Sequence, residues 1–141
     1  MAIKFGYKAI KRPDDTWVRT PSIPITLIGE KESVDLIALV DSGADISVIP
    51  KEIAEVLGLK LEGEIEPAFG VGGTVPTIQT QVNVRVGRQH EDYRFSMPIK
   101  VIMSDYDLPP LLGRKGFFQE FIITFDERKE KVQLKRYTRK K

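Results

Sequence analysis

The sequence predicts a mostly β protein, a small closed antiparallel β-barrel with one or two short helices. Short apolar, β-branched runs are separated by Gly, Pro and Asp, and one of them alternates strictly between apolar and polar residues. Only two short stretches have a helical pattern. Many short strands with few helices favour a barrel, and 141 residues suit one domain.

Five segments have the composition of strands. Residues 23–28 and 34–40 are apolar and β-branched, and residues 93–103 and 121–125 have similar runs. Residues 74–86 alternate, with Val82, Val84 and Val86 on one side and Gln81, Asn83 and Arg85 on the other. The period of two predicts a half-buried strand, and the polar residues 87–92 predict a hairpin turn after it.

The two helical stretches are residues 50–57 and 114–120. Pro50 suits a first helical position and Gly58 suits the residue just past the end. The second stretch has Phe117 and Phe118 on an apolar side, with Phe121 following. The basic tail, residues 135–141, is expected to be solvated.

Composition excludes several kinds of site. The chain has no Cys and a single His, His90, which removes thiol chemistry and nearly excludes a His triad or a multi-His metal centre. We therefore expect no metal and no cofactor. The net charge of +2 gives no strong field for nucleic acid or membrane. The sequence has no apolar run of about 18 residues and no signal peptide, so a cytoplasmic location is the default expectation.

A carboxylate follows directly after an apolar strand. Residues 36–40 are Leu-Ile-Ala-Leu-Val, and Asp41-Ser42-Gly43-Ala44-Asp45 comes next. Such a carboxylate is costly to bury unless it is hydrogen-bonded or functional. Gly43 permits a tight turn beside it. An ordinary polar turn is the competing interpretation, and the triplet alone is a weak signal.

Two further segments follow in a defined order. Residues 69–74, Phe-Gly-Val-Gly-Gly-Thr, lack the Lys-Ser/Thr of a P-loop and fit a hairpin tip better. Residues 109–114, Pro-Pro-Leu-Leu-Gly-Arg, indicate a short buried strand that ends sharply before the second helix.

In this order, the triplet, the Gly-rich hairpin and Leu111-Leu112-Gly113-Arg114 resemble the retropepsin family, the retroviral-type aspartic proteases and their cellular relatives. The resemblance covers about residues 22–126. It implies the acid-protease barrel for the whole chain as one domain, with an N-terminal extension at 1–21 and an added strand and tail at 127–141. It also implies a homodimeric endopeptidase that takes an extended peptide.

The resemblance implies roles for individual residues. Asp41 is the expected catalytic residue, supported by Ser42, Gly43, Ser47 and Arg114. Ser42 would bond to its own copy across a two-fold axis, and Ser47 would lie behind the active-site loop. Asp45 would contact substrate and form an ion pair with Arg114. The substrate-binding set is Ala44, Asp45, Gly70, Val71, Gly72 and Gly73, of which 70–73 form the tip of a flap.

The triplet Asp41-Ser42-Gly43 offers only one catalytic carboxylate, whereas aspartic protease chemistry needs two carboxylates that face each other. A two-fold dimer supplies the second Asp41 by symmetry. Like charges so close share one proton, so one carboxylate activates water while the other polarises the scissile carbonyl. Viral members use their chain termini at the dimer interface. The extensions of this chain leave open which strands form it here.

Two alternatives remain at the level of sequence. The chain could be a retropepsin-like dimerisation or peptide-binding module with weak or absent catalysis, since fold does not fix function. It could also be an unrelated β-barrel that binds a small ligand or nucleic acid, although no aromatic and basic strand surface supports nucleic acid. Cleavage preference and natural substrate are not encoded in any motif of the chain.

Overall fold

Twelve strands, one α-helix and one π-helical turn are found in the computed structural model, which describes residues 2–70, 73–88, 90–105 and 108–137. The elements, in chain order, are β1 (Ala2–Gly6), β2 (Lys8–Lys11), β3 (Trp17–Thr20), β4 (Ser22–Ile28), β5 (Ser33–Val40), β6 (Ser47–Pro50), α1 (Lys51–Leu57), β7 (Glu66–Gly70), β8 (Gly73–Arg88), β9 (Glu91–Ile102), β10 (Leu111–Leu112), the π-helical turn (Arg114–Phe118), β11 (Phe121–Asp126) and β12 (Lys131–Arg136).

The main sheet closes on itself. Its strand order is β4-β5-β10-β6-β9-β8-β7, and an additional β4–β8 pairing joins the sheet into a ring. This confirms the predicted mostly β fold with a closed sheet. Two of the pairings, β5–β10 and β6–β9, are parallel and depart from the antiparallel prediction. The short strand β10 lies between β5 and β6, parallel to the first and antiparallel to the second.

The alternation in β8 matches its burial. Val82, Val84 and Val86 are buried, whereas the intervening polar residues are exposed. The strand pairs along its length with β9, and one stretch of it also meets β4. The predicted hairpin between β8 and β9 is confirmed, and His90 lies exposed in its turn. Gln89 lies outside the described residues.

Both predicted helical stretches are helical, with small changes. Pro50 is the cap residue before α1 and not its first turn, and Gly58 ends the helix in the left-handed conformation at φ 78°. The second stretch is kinked, since Gly116 has φ 86°. A Cβ on Gly116 would lie 2.4 Å from the Met97 Cβ, so only Gly fits there.

The two chain ends form a sheet of their own. β12 lies between β1 and β11 in an antiparallel three-stranded sheet, which we call the terminal sheet. The predicted strand around Val132 and Leu134 is thus confirmed. Its partner β1 comes from the N-terminal extension, where no strand is predicted from sequence. Buried side chains of the terminal sheet, such as Phe5 and Leu134, join those of the ring in one hydrophobic cluster.

The rest of the N-terminal extension is a small hairpin. β2 pairs with β3 in a separate two-stranded sheet. Trp17 at the start of β3 is 66% exposed. Within the described part of the chain, no helix is long and apolar enough to cross a membrane.

Candidate active site

Asp41 begins the turn that connects β5 to β6. Its backbone N–H donates to the Leu112 carbonyl at 3.0 Å, and its carbonyl accepts the Ala44 N–H at 3.2 Å. The Asp41 carboxylate accepts the Gly43 N–H through Oδ1 at 2.9 Å. The side chain is partly exposed, although the preceding Val40 is buried. The turn therefore presents one oriented carboxylate at the end of a buried strand.

The short strand β10 holds this turn from behind. Leu111 pairs with Leu39 on the parallel side and with Val48 on the antiparallel side. Leu112 is 1% exposed, so its side chain fills the core directly beneath the turn. The two strands that flank the Asp41 turn are thus joined through two residues from a distant part of the sequence.

Gly113 allows the closest approach in this region. A Cβ at this position would lie 2.6 Å from the Ile46 carbonyl carbon and 2.9 Å from the Ser47 nitrogen. Both are backbone atoms that cannot move aside independently. The requirement for Gly at this position therefore comes from packing against the Asp41 turn, because its φ of −105° is open to any residue.

Ser47 in β6 is fully buried and contacts both Gly113, just after β10, and Met97 in β9. Its Oγ accepts the Gly113 N–H at 2.9 Å, and its hydroxyl is directed at the Met97 sulfur at 3.6 Å. Residues 47 and 113 are 66 positions apart in the chain. The structure thus places the Ser47 hydroxyl against Gly113, behind the Asp41 turn.

The expected ion pair between Asp45 and Arg114 is wrong as a description of this structure. Ion pairs within the described residues do not include it, and both side chains are exposed. The Asp45 carboxylate accepts the N–H of the next residue, Ile46, at 2.9 Å. The segments meet through backbone instead, where Arg114 N–H donates to the Ala44 carbonyl at 2.9 Å and Lys115 N–H to the Asp45 carbonyl at 2.8 Å. These backbone hydrogen bonds hold the two segments together without the side chain of Asp45 or of Arg114.

Ser42 lies at the exposed tip of the turn. No hydrogen bond inside the described part of the chain engages its side chain. The predicted hydrogen bond across a two-fold axis involves a second chain and stays a prediction. Gly43 beside it is also exposed, and a Cβ there would meet Asp41 Oδ1 at 3.2 Å.

The Gly-rich segment lies in the predicted hairpin. Gly70 at the end of β7 pairs with Gly73 at the start of β8, and Gly73 has φ 130°. Val71 and Gly72, which complete the predicted flap tip, lie outside the described residues. Phe69 is 83% exposed and projects from the hairpin just before the tip.

Three contributors to the site were missed from sequence. Pro21 and Pro110 offer carbonyls to the N–H groups of Val40 and Leu39, at 3.0 and 2.8 Å. Met97 contacts the Ser47 hydroxyl. A Pro carbonyl has no sequence signature, and Met97 has the hydrophobicity of any core residue. No local signal could have found them.

The site contains a carboxylate without the usual partners of nucleophilic or metal chemistry. Across residues 2–70, 73–88, 90–105 and 108–137, no group of three or more His, Cys, Asp or Glu side chains could hold a metal ion. The geometry therefore offers the Asp41 carboxylate for acid–base chemistry.

Comparisons with known proteins agree with this geometry. No curated protein matches the sequence. Among solved structures, a retropepsin-like aspartic protease from Rickettsia conorii matches with a TM-score of 0.59 and 18% identity, covering 95% of this chain and 91% of that one. At this identity the match shows the fold alone. The family pattern described as "Aspartyl protease" matches residues 24–114, which include the Asp41 turn, the hairpin and β10. The chain therefore belongs to the aspartyl protease family.

Proposed function

We propose that the chain is a homodimeric aspartic endopeptidase in which two copies of Asp41 activate water between them. The observation that carries the proposal is the Asp41 turn itself. Its carboxylate is oriented by the Gly43 N–H, stays partly exposed, and is fixed to β10 through the Leu112 carbonyl. Membership of the aspartyl protease family supports the same chemistry.

The reaction follows from two such carboxylates that face each other and share one proton. The ionised Asp41 removes a proton from water as the water attacks the scissile carbonyl. The protonated Asp41 donates a hydrogen bond to the carbonyl oxygen, and a proton is then delivered to the leaving amine. No covalent intermediate forms on the enzyme, which fits a chain without Cys and with its only His exposed in a remote turn.

Substrate binding is assigned to the surroundings of the turn. The hairpin of β7 and β8 covers an extended peptide, and its backbone offers hydrogen bonds to that peptide. Ala44 and Asp45 line the substrate side of the turn. The Asp45 carboxylate already caps the Ile46 N–H, so it positions peptide and takes no part in proton transfer.

The decisive experiment replaces Asp41 with Asn and follows cleavage of an unfolded protein and a peptide library. Asn keeps the shape of the side chain but cannot exchange a proton. We expect a loss of activity on the order of 10³-fold or more. Asp15→Asn is the matched control, because Asp15 lies exposed in the β2–β3 turn at φ 70°, a conformation that Asn tolerates well.

Cleavage that persists in a pure Asp41→Asn protein would refute the proposal. Binding of peptides by the wild-type protein without turnover, and equally by Asp41→Asn, would favour a catalytically inactive peptide-binding or dimerisation module instead.

A further inference from the structure

The outer edge of β8 has a gap in its pairing. One side of β8 pairs with β9 from Thr77 to Arg88. The other side pairs with β7 up to Thr77 and with β4 from Asn83 to Arg85. Among the described residues, no strand pairs with residues 78–82 on this side, and no other backbone hydrogen bond reaches them there. The gap therefore lies between two strands that both run antiparallel to β8.

The backbone of Gln79 and Gln81 faces this gap. Met103 N–H donates to the Pro76 carbonyl at 2.9 Å, which makes Pro76 a hydrogen-bonded position toward β9. Hydrogen-bonded and non-hydrogen-bonded pairs alternate in an antiparallel ladder. Gln81 is therefore in a non-bonded pair with Pro98, which has no N–H to offer. It follows that the N–H and C=O groups of Gln79 and Gln81 point away from β9, into the gap.

The gap exists because β4 turns away from β8 after Ile28. Gly29 N–H donates to the Glu32 carbonyl at 3.0 Å. Lys31 N–H donates to the Leu57 carbonyl, also at 3.0 Å, and this bond ties the turn to the end of α1. The turn is therefore fixed by hydrogen bonds of its own and leaves the edge of β8 unpaired.

A groove of about 320 Å³ lies along this edge. Its walls include Thr80 on β8, Leu59 and Lys60 in the segment that leads from α1 to β7, and Glu30 in the turn after β4. The volume is at the lower end of the range for small-molecule pockets, which is roughly 300–1,000 Å³. It suits an extended ligand that spans residues 79–81.

We infer that this groove binds a short peptide with free ends, in an extended conformation and antiparallel to β8. The middle residue of a tripeptide opposes Thr80, and the two outer residues oppose Gln81 and Gln79. Each outer residue exchanges both backbone hydrogen bonds with its Gln, as in any hydrogen-bonded pair of an antiparallel ladder. Addition of a strand to an open edge is a common way to bind a peptide through its main chain.

The charges of the groove match the two ends of such a peptide. The peptide continues in the direction of β4, which ends beside Asn83, so its amino end lies nearest to Glu30. Lys60 lies in the segment that runs on toward β7, which begins beside Thr77. This is the direction of the carboxylate of the peptide. The two charges thus favour a free peptide in one orientation, although each contributes little in water.

The groove is remote from Asp41. Ser22 at one end of β4 pairs with Leu39, two residues before Asp41, whereas Ile28 at the groove pairs with Ser33. The two ends of β4 are roughly 20 Å apart. Binding in the groove therefore does not use the proposed catalytic carboxylate. A bound peptide fills the space between β7 and β4, and so joins the hairpin of β7 and β8 to the rest of the main sheet.

The test titrates the full-length protein with the tripeptide Thr-Val-Thr and follows its backbone amides by NMR. Thr suits the two exposed outer positions, and Val suits the central one beside Thr80. Exposed hydrogen bonds of this number support a dissociation constant on the order of 1 mM. With the peptide at about ten times that concentration, hydrogen exchange of Gln79 and Gln81 should be about tenfold slower. Thr80, which pairs with Ile99 of β9, should exchange at an unchanged rate.

Two altered peptides test the pairing. Thr-Val-Pro lacks the N–H that donates to the Gln79 carbonyl, and its ring meets the edge of β8, so it should bind about tenfold more weakly. A Thr-Val-Thr peptide with an acetylated amino end and an amidated carboxyl end keeps the backbone groups but lacks both charges. It represents an internal segment of a protein and should bind about two- to fivefold more weakly. Equal affinity for the blocked and the free peptide would overturn the assignment to free ends.

Variants of the protein test the same site. Gln81→Pro removes a donor that faces the gap and should abolish the shifts, since Pro is tolerated where an N–H does not enter a ladder. Gln81→Ala is the matched control, because it keeps the backbone N–H and should bind as the natural protein does. Lys60→Ala should weaken binding about two- to fivefold, whereas Lys51→Ala, exposed at the start of α1, should not. The Lys60 variant decides the matter if Gln81→Pro does not fold.

The outcomes separate the inference from the proposed function. No shift at Gln79 and Gln81 up to about 10 mM peptide, or equal binding of Thr-Val-Pro, would overturn the inference. The titration should give the same result in Asp41→Asn. Peptide binding without any peptidase activity would contradict the proposed function alone, and an active protease that does not bind the tripeptide would contradict the inference alone.

Discussion

The main sheet, which closes into a ring, and the terminal sheet differ in how their end strands are paired. In the main sheet, β4 pairs with both β5 and β8, and this closes the ring that includes β5, the strand that leads to Asp41. The terminal sheet stops at β1 on one side and at β11 on the other. The main sheet keeps one open edge, at β7, whereas the terminal sheet has two, at β1 and β11.

Because their strands are paired differently, the two sheets have different structural roles. A closed sheet with β10 inserted between two strands holds the Asp41 turn in place, because any shift would break pairings on both sides. An open sheet can accept a further strand from another molecule. The Asp41 turn is thus held by strand pairings on both sides, whereas the terminal sheet has open edges at β1 and β11.

The largest effect is expected from adding one methyl group at the contact behind the turn. Gly113→Ala places a Cβ 2.6 Å from the Ile46 carbonyl carbon. Relieving this overlap should move the Asp41 turn and lower the free energy of unfolding by about 3 kcal/mol. Thermal or urea unfolding measures the stability, and peptide cleavage should fall with it. Gly6→Ala in β1 is the control, since its nearest atom is the end of the Lys131 side chain at 3.6 Å.

If Gly113→Ala is as stable and active as Gly6→Ala, the contact does not hold the turn and the contrast between the two sheets loses its basis.

A smaller effect is expected when Ser47 becomes Ala. The Gly113 N–H then lies buried without its acceptor, which should cost about 1–3 kcal/mol of unfolding free energy. Neither partner of the Ser47 hydroxyl, Gly113 or Met97, lies in the terminal sheet, which should keep its hydrogen-exchange protection. Ser96→Ala is the matched control, because Ser96 is exposed and its Oγ–Gln81 contact of 3.3 Å is weak. Similar losses in the two variants would contradict the role of Ser47.

The smallest effect is expected on the stability of the protein at alkaline pH, and it comes from Tyr7, the residue that follows β1. Burial raises the pKa of the Tyr7 hydroxyl above 10.0, and its hydrogen bond to Glu127 at 3.1 Å adds to the shift. The unfolded chain therefore loses this proton at lower pH than the folded one, and stability falls as pH rises above about 10.

Tyr7→Phe should lower stability by about 1 kcal/mol at neutral pH through the lost hydrogen bond and should reduce the decline above about pH 10. Urea unfolding at a series of pH values measures both. Part of the decline should remain in Tyr7→Phe, because the pKa of Tyr93 is also raised, chiefly by its hydrogen bond to Glu91. An unchanged alkaline slope would contradict the assignment.

Much of the ring and its site can be predicted because the signals are local or ordered along the chain. The alternation of β8, the apolar run before Asp41 and the Gly58 helix end all depend on neighbouring residues. The order of triplet, hairpin and Leu111-Leu112-Gly113 predicts the family, which the comparison confirms. The resemblance predicts only that Ser47 lies behind the active-site loop. It does not predict that the Ser47 Oγ accepts the Gly113 N–H.

The chain ends were harder to predict. β1 has five residues and Lys4 in its middle, which is too short a pattern to distinguish a strand from a polar terminus. The Asp45–Arg114 ion pair, which only the resemblance implied, was wrong for a different reason. The two exposed side chains gain little from an ion pair in water, and backbone hydrogen bonds already join their segments.

By itself, the sequence determined the strand-rich fold, the single carboxylate and the family, because each depends on residue types at short spacings. The tertiary structure decided where β10 inserts, that β1 and β12 close on each other, and that β11 is left with an open edge. Those outcomes depend on pairings between residues up to 133 positions apart, as between Ala2 and Lys135. Backbone hydrogen bonds of this kind are available to any residue, so no residue type marks them in the sequence.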